Sequence, residues 1–389
     1  MAAILSGRLT SGDLILACIR YALGVGSRHT VSEGARDFRD WPAFIETAEV
    51  HGLLPMVAGC FDSCGISAPD SVCETLARAL RQNAKRVLVM TEELSRILGL
   101  LEAGGIPALA VKGPVLAHTL YADPAYRVFT DLDLLVPRGV VPDARRILSG
   151  AGYEPSGSAK TSVAREQSIF RFTELSLENA RIGVHVDLHW ELTPQDWIAS
   201  MPPGLRDRTR TVLAGGSAIP TPGEEDTFLH LCVHGGKHGW TSLKWLVDLC
   251  SLITRSPGIA ERSLRLVNPR SEVAAMVRFG LAASAVIAPE MLPSAAEIDL
   301  QAERVVRDRL GGMPRDETSL SRLRFQSSMG LSRLAIFQFA VRRLFVPNQD
   351  DWETLPIQQR RLLFLLVPWH LLRLTWRLAS GAASGRMRS

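Results

Sequence analysis

Residues 130–136 read Thr-Asp-Leu-Asp-Leu-Leu-Val, and most of what the sequence indicates about function follows from this stretch. Asp131 and Asp133 alternate with apolar residues and precede an apolar run, which predicts a buried strand. Because side chains alternate along a strand, both carboxylates lie on one face. Carboxylate oxygens suit a hard divalent cation that carries nucleotide phosphates. A carboxylate on a central strand needs a partner, so we interpret the pair as a metal site rather than a solvated edge.

A second acidic strand is predicted at 182–190, Ile-Gly-Val-His-Val-Asp-Leu-His-Trp. Asp187 lies near its middle and would complete a three-carboxylate cluster; the alternative is an ion pair with an arginine. His185 and His189 share the face of Asp187, so a His-Asp-His zinc site is a second alternative. The Asp-x-Asp pair favours a hard ion, and the histidines would then line the cleft or orient carboxylates.

A turn suited to phosphate binding is predicted before the first acidic strand. Residues 106–111 form a short apolar strand, Lys112-Gly113-Pro114 turns the chain, and 115–121 is a helix. A glycine here lets the backbone approach a phosphate, and Lys112 adds a positive charge. Arg127 either contacts phosphate or forms a structural salt bridge to the acidic cluster.

Composition restricts the class of protein. A chain of 389 residues with 46% hydrophobic and 22% charged residues is long enough for two or three globular domains. A formal charge of +4 gives no reason to expect a nucleic-acid partner. The six cysteines form no zinc-ribbon pattern and are interpreted as reduced thiols of a cytoplasmic protein. We expect no signal peptide and no transmembrane segment. A basic amphipathic run at 360–377 is interpreted as a core helix, with a membrane-surface helix as the alternative.

The predicted fold class is α+β, with a small mixed sheet flanked by helical domains. We expect an N-terminal helical domain over 1–104, a core over 105–223 and a C-terminal helical domain over 224–389. The later predicted elements are a helix at 142–151, a loop at 155–165, strands at 132–136, 169–177 and 182–190 with a turn at 178–179, and helices at 225–233, 243–254, 272–285, 320–344 and 358–378. Gly235 and Gly236 are expected to end the helix that begins at 225.

These motifs together resemble a known family. They comprise 109–114 (Leu-Ala-Val-Lys-Gly-Pro), 120–136, Gly-Tyr at 152–153, 184–190, and a block at 229–248 with His230, His234, Lys237, His238, Trp245 and Asp248. Over roughly residues 105–250 the chain resembles the uncharacterised nucleotidyltransferase family found in bacteria, within the DNA polymerase beta type superfamily. The combination is more specific than Asp-x-Asp alone.

The resemblance implies roles for these residues. Asp131 and Asp133 would bind Mg²⁺, with Mn²⁺ as an alternative, and Asp187 would be the third acid. Lys112 and Gly113 would lie at the triphosphate. The turn departs from the superfamily pattern of Gly-Ser or Gly-Gly, because Pro114 offers neither hydroxyl nor N–H; Lys112 or Arg127 would compensate.

The second block of the resemblance carries histidines at metal-binding spacing. His230 and His234 are four residues apart on a predicted helix, but no glutamate follows the first one, so the metalloprotease signature is absent. We prefer a cleft-lining role, with Lys237 or His238 near substrate or phosphates. Trp245 and Asp248 are interpreted as packing and capping residues.

The predicted function is transfer of a nucleoside monophosphate, with ATP as the expected NTP, to an acceptor hydroxyl or phosphate. The acceptor would belong to a small molecule, a peptide or a protein. One alternative is the tailoring of a peptide or small-molecule natural product by adenylylation. Another is a catalytically silent nucleotide-binding or regulatory protein, which Gly113-Pro114 suggests. A toxin–antitoxin role is also open, although this chain is much longer than the small members that act in that way.

Overall fold

A computed structural model describes residues 9–156, 173–193, 199–291 and 299–312, together with Phe325, Met329, Leu331 and Phe337. The predicted helices at 320–344 and 358–378, and the predicted loop from 157 onward, lie outside these residues apart from the four single positions. The chain divides into two compact units. The first comprises 1–99, 109–132 and 201–317, and the second comprises 100–108, 133–200 and 318–389. The predicted three-domain division stays a prediction.

The N-terminal part of the first unit is helical, as predicted for 1–104. Its helices are α1 (Ser11–Ala22), α2 (Arg28–Arg36), α3 (Trp41–Val50), α4 (Leu54–Cys64) and α5 (Asp70–Ala103), whose last residues enter the second unit. Thr10 and Asp13 form a capping box at the start of α1. The rings of Phe44 and Phe61 stack with centroids 5.7 Å apart and join α3 to α4.

The rest of the first unit combines short strands with further helices. These elements are β1 (Leu109–Ala110), α6 (Pro114–Leu120), β6 (Thr209–Ala214), β7 (Ser217–Pro222), α8 (Glu224–Lys237), α9 (Leu243–Arg255), α10 (Ile259–Leu264), α11 (Glu272–Ile287) and α12 (Leu300–Leu310). The antiparallel hairpin of β6 and β7 turns at Gly215 and Gly216, both with positive φ. The hydroxyl of Thr221 donates to the carbonyl of Ala110 at 2.7 Å, which joins β7 to β1.

The second unit holds the sheet that carries the acidic residues. Strand β2 (Asp131–Leu135) enters it at Asp133 and is followed by α7 (Val141–Gly150), β3 (Glu154–Pro155), β4 (Glu174–Asn179) and β5 (Val184–His189). These strands lie in the sheet order β2-β5-β4-β3. Strands β4 and β5 are antiparallel, with Ser176 opposite Asp187 and Glu174 opposite His189. Helices with a small mixed sheet confirm the predicted α+β class.

Several predicted boundaries shift, each for a local reason. Strand β1 is shorter than the predicted 106–111, since Pro107 has no N–H to donate to a sheet. The predicted turn at 178–179 is wrong: β4 continues to Asn179, and the turn occupies 180–183, where Gly183 has φ 66°. The hairpin of β6 and β7 was not predicted.

The helix predicted to end at the glycine pair continues to Lys237. Glycine at position 235 leaves space for the Trp240 side chain, because a Cβ at this position would lie 2.5 Å from ring atoms of Trp240. Trp240 is fully buried and has φ 50°, a backbone conformation rare for a bulky residue. The two residues therefore constrain the connection between α8 and α9.

His51 joins three helices at a buried point of the first unit. Its Nε2 lies 2.7 Å from the carbonyl oxygen of Arg309, and its Nδ1 accepts the backbone N–H of Leu243 at 3.4 Å. One nitrogen donates and the other accepts, which is the arrangement of a neutral imidazole. Burial accordingly lowers the pKa of His51.

Of the six cysteines, which are free thiols, only Cys73 is exposed. Within the described part of the chain, no helix has the length and apolar character needed to cross a bilayer.

Replacing Gly235 with Ala should destabilise the fold by about 1–3 kcal/mol, because the new methyl group overlaps the Trp240 ring. Gly99 is the matched control, since it is an exposed helical glycine with nothing within 4 Å of the position that a methyl group would take. Gly99→Ala should stabilise by about 0.5–1 kcal/mol. Urea unfolding measures both changes. Equal effects of the two substitutions would contradict the packing role of Gly235.

Stability should fall at acidic pH because of His51. Its folded-state pKa is lowered, so the unfolded chain takes up the proton first as pH drops below about 6.5. The free energy of unfolding then decreases by up to about 1.4 kcal/mol per pH unit, until the folded-state pKa is reached. His51→Gln should flatten this dependence, whereas His29→Gln, at an exposed position, should not. Denaturant titrations across about pH 5 to 8 test this, and an unchanged slope in His51→Gln would contradict it.

Candidate metal and nucleotide site

Strand alternation sorts the residues of β5 onto two faces. Val184, Val186 and Leu188 are at most 1% exposed and face the core. His185, Asp187 and His189 take the other face, as predicted. On β2, Asp131 precedes Asp133 by two residues, so alternation directs both carboxylates to one face of that strand.

Asp133, Asp187 and His189 come together within the second unit. One potential ligand atom from each lies within 4.8 Å of the other two. The Nε2 of His189 is 3.1 Å from Oδ1 of Asp133, and its Nδ1 is 3.3 Å from Oε2 of Glu174. The hydroxyl of Ser176 donates to Oδ1 of Asp187 at 2.6 Å. The cluster thus has ligand atoms of the types that divalent cations accept, with partners that orient them.

The charge balance of this cluster fits a cation. Burial raises the pKa of Asp187, and the neighbouring charges of Asp133 and Glu174 raise it further. The hydrogen bond from Ser176 and the proximity of His189 act in the opposite direction. Asp133 itself is only 5% exposed. A bound divalent cation would relieve the mutual repulsion of these carboxylates, so the residues present fit a metal ion.

His185 lies outside this cluster. Its side chain is half exposed, and its Nε2 is 3.8 Å from Oε1 of Glu178. Among the described residues, the metal-ligand group therefore contains one of the two strand histidines rather than both. A His-Asp-His site is not the arrangement found.

In the first unit, Gly113 forms the turn before α6 with φ 54°. A Cβ there would lie 3.2 Å from the carbonyl oxygen of Asp131, so both the conformation and the space favour glycine. Pro114 is the first residue of α6, a position where the missing N–H costs no helical hydrogen bond. Lys112 immediately precedes this turn.

Arg127 forms a buried ion pair with Asp248 of α9. Its Nε and Nη2 each donate to the Asp248 carboxylate at 2.8 Å, and its Nη1 donates to the carbonyl of Gly113 at 3.2 Å. The hydroxyl of Tyr121 also donates to Asp248, at 2.7 Å. The structure thus gives Arg127 a salt-bridge partner in Asp248. Asp248 acts as more than a packing residue, because its ion pair holds Arg127 against the Gly113 turn.

Aromatic and basic side chains gather at the end of α8. The rings of His234 and His238 are 4.6 Å apart, and each lies within 5.4 Å of the Trp245 ring. Burial lowers the pKa of His234 well below its usual value, and the charges of Lys112 and Lys237 lower it further. His238 thus packs against His234, and the charges of Lys112 and Lys237 act on the same histidine.

Sequence reasoning missed Lys244, which lies in the first turn of α9. Burial lowers its pKa, as do the charges of Arg127 and Lys112, while Asp248 and Asp131 raise it. Its only sequence signals are its place in the block at 229–248 and the scarcity of lysine. Ser176 and Glu174 were also missed, since their contacts depend on a strand register that the sequence does not specify.

Arg127→Met should destabilise the protein by about 3–5 kcal/mol, because it leaves the Asp248 carboxylate buried without its counter-charge. Adding Asp248→Asn should recover part of this loss, since an amide oxygen can still accept from Tyr121. Arg146→Met removes an exposed pair with Asp143 and should cost less than about 1 kcal/mol. The measurement is a double-mutant cycle from urea unfolding. Strictly additive losses would show that the pair is not coupled.

A comparison with known protein families matches the region of the chain that contains the candidate site. A family model described as "Uncharacterised nucleotidyltransferase" matches residues 37–286, which is more than half of the 389 residues. No curated protein and no solved structure gives a significant match. The matched range contains the acidic cluster, the Gly113 turn and the residues gathered at the end of α8. The chain belongs to this family of nucleotidyltransferases.

Proposed function

We propose that the protein is a Mg²⁺-dependent enzyme that transfers a nucleoside monophosphate, AMP from ATP, to an acceptor hydroxyl or phosphate. The observation that carries this proposal is the cluster of Asp133, Asp187 and His189 beside the strand position of Asp131. Family membership supplies the reaction class. The metal ion, the choice of ATP and the cytoplasmic location are our proposals.

Each residue of the cluster has a role in this mechanism. Asp133 of the cluster and the preceding acid of β2, Asp131, would hold the metal ion, which would supply charge neutralisation at the phosphates when it is bound. Asp187 takes the proton of the acceptor hydroxyl or holds a second ion.

His189 and Ser176 act as positioning residues. His189 bridges Asp133 and Glu174, so it fixes the orientation of a proposed metal ligand. Ser176 holds one oxygen of Asp187 and directs the other away from that hydrogen bond.

Lys112, Gly113, Lys237 and His238 form the proposed phosphate-binding set. Lys112 and Lys237 both act on the pKa of His234, which supports a common location. Direct contact of Arg127 with phosphate stays a prediction, because its three donor nitrogens named above have partners within the protein. Its supported role is to hold the Gly113 turn.

The proposed acceptor is a small molecule, a peptide or a protein rather than a nucleic acid. The formal charge of +4 on 389 residues is too small to argue for a polyanion partner. Tailoring of a peptide or small molecule by adenylylation is one form that this reaction could take.

A silent nucleotide-binding or regulatory protein is the second candidate. It is favoured by Pro114, which occupies the first position of α6 and removes an N–H that could meet a phosphate. The two candidates differ in one measurable property, the release of pyrophosphate.

Asp131→Asn combined with Asp133→Asn should abolish nucleotidyl transfer while the protein stays folded, because amides do not supply the negative charge a divalent cation needs. The assay incubates the protein with each labelled NTP, Mg²⁺ and candidate acceptors, and measures pyrophosphate together with labelled product. His189→Gln and Ser176→Ala should reduce activity about 10–100-fold, as expected for residues that orient ligands.

Asp143→Asn is the matched control, since Asp143 is an exposed aspartate of the same unit and should leave activity unchanged. Circular dichroism checks the folding of each variant. Full activity in the double variant would contradict the site assignment. Nucleotide binding by the wild type, with no pyrophosphate in any acceptor mixture, would favour the silent candidate.

A further inference from the structure

The side chain of Lys244, at the start of α9, packs closely against Gly52. A Cβ placed on Gly52 would lie 3.3 Å from Cδ of Lys244 and 3.6 Å from Cβ of Val128. The aliphatic stem of Lys244 therefore runs beside Gly52, where a side chain would crowd it. Val128 follows Arg127 in the chain, so this stem lies near the segment that leads to Asp131.

The natural partner of Lys244 is already occupied. Asp248 lies four residues later on the same helix, at the spacing where opposite charges pair. Its Oδ1 accepts from Tyr121 and from Nε of Arg127, and its Oδ2 accepts from Nη2 of Arg127. Within the described part of the chain, Lys244 has no hydrogen bond and no salt bridge. Its ammonium is therefore available to an external anion.

The surroundings of Lys244 match those expected for the phosphates of a nucleotide. Arg127, Lys112 and Asp131 are close enough to influence its pKa, and burial, the largest cause, lowers that pKa. A partly dehydrated ammonium without an ion pair gains strongly when an anion supplies charge-assisted hydrogen bonds. Only five lysines occur in the chain, so a lysine close to Val128 and within electrostatic reach of Asp131 is a specific feature.

We propose that Lys244 is a phosphate-binding residue of the nucleotide site, whose ammonium contacts the phosphate chain of the NTP. This inference rests on the proposed function, because it assumes that the site takes a nucleoside triphosphate. The proposed contact with phosphate comes from a residue of α9. This helix is joined to the Gly113 turn by Arg127, which pairs with Asp248 and donates to the carbonyl of Gly113. A lysine point charge suits this task, since it needs no fixed bidentate geometry.

The test compares binding by Lys244→Met, Lys244→Arg and a control, Lys85→Met. Lys85 is an exposed lysine on α5. Calorimetry measures the dissociation constants for each of the four NTPs, for inorganic tripolyphosphate and for the nucleoside of the NTP that binds best. Thermal unfolding without ligand measures the structural effect of each substitution separately.

Lys244→Met should weaken binding of the NTP and of tripolyphosphate by about tenfold or more, because it removes a charge-assisted hydrogen bond. Nucleoside binding should stay unchanged, which a merely structural role would not produce. Lys244→Arg should keep most of the affinity, and Lys85→Met should match the wild type.

Two results would overturn the inference in distinguishable ways. If the wild type binds an NTP and Lys244→Met binds it equally well, or loses nucleoside and NTP affinity to the same extent, the role of Lys244 is wrong while the proposed function stands. If the wild type binds none of the four NTPs, the proposed function fails, and the role of Lys244 fails with it.

Discussion

A carboxylate removed from water needs compensation, and this requirement organises both units of the protein. Asp226 and Asp248 are almost completely buried, and each is matched by a bidentate arginine, Arg208 or Arg127. Burial raises the pKa of Asp187 and the neighbouring acids add to this effect, although the hydroxyl of Ser176 donates a hydrogen bond that acts in the opposite direction. The two carboxylates paired with these arginines serve the fold, whereas Asp187 belongs to the group with Asp133 and His189 that could hold a cation. The same physical cost thus separates structural acids from candidate functional acids.

Local patterns made much of the candidate site predictable. The alternation Asp-Leu-Asp placed two carboxylates on one face of β2, and the alternation around Asp187 correctly grouped it with His189. Both predictions need only the period of a strand, which is a property of neighbouring residues. Helix positions followed in the same way from apolar spacing. Strand β1 was predicted too long, because Pro107 cannot donate to a sheet.

Contacts between distant residues were beyond prediction from one sequence. Arg127 and Asp248 are 121 positions apart, and no local pattern pairs them. The continuation of α8 through its glycines depends on Trp240, whose ring needs the space that Gly235 leaves. Ser176 lies opposite Asp187 because of the strand register, which depends on the position of the turn. The sequence-based prediction placed that turn at 178–179, where β4 in fact continues. The missing information in each case is tertiary packing, which overrides local propensity.

Pro114 has a consequence for how the site could recognise its nucleotide. A turn that offers backbone N–H groups donates hydrogen bonds to phosphate oxygens in fixed directions. Such a turn therefore selects for a particular arrangement of the phosphates. With proline at this position, one such N–H is absent, and the proposed lysine contacts, which have no preferred plane, would supply more of the phosphate binding. Attraction between point charges is screened by dissolved salt. The affinity of such a site would depend more on the total negative charge of a ligand than on the arrangement of its phosphates. Its occupancy would decrease as the ionic strength rises.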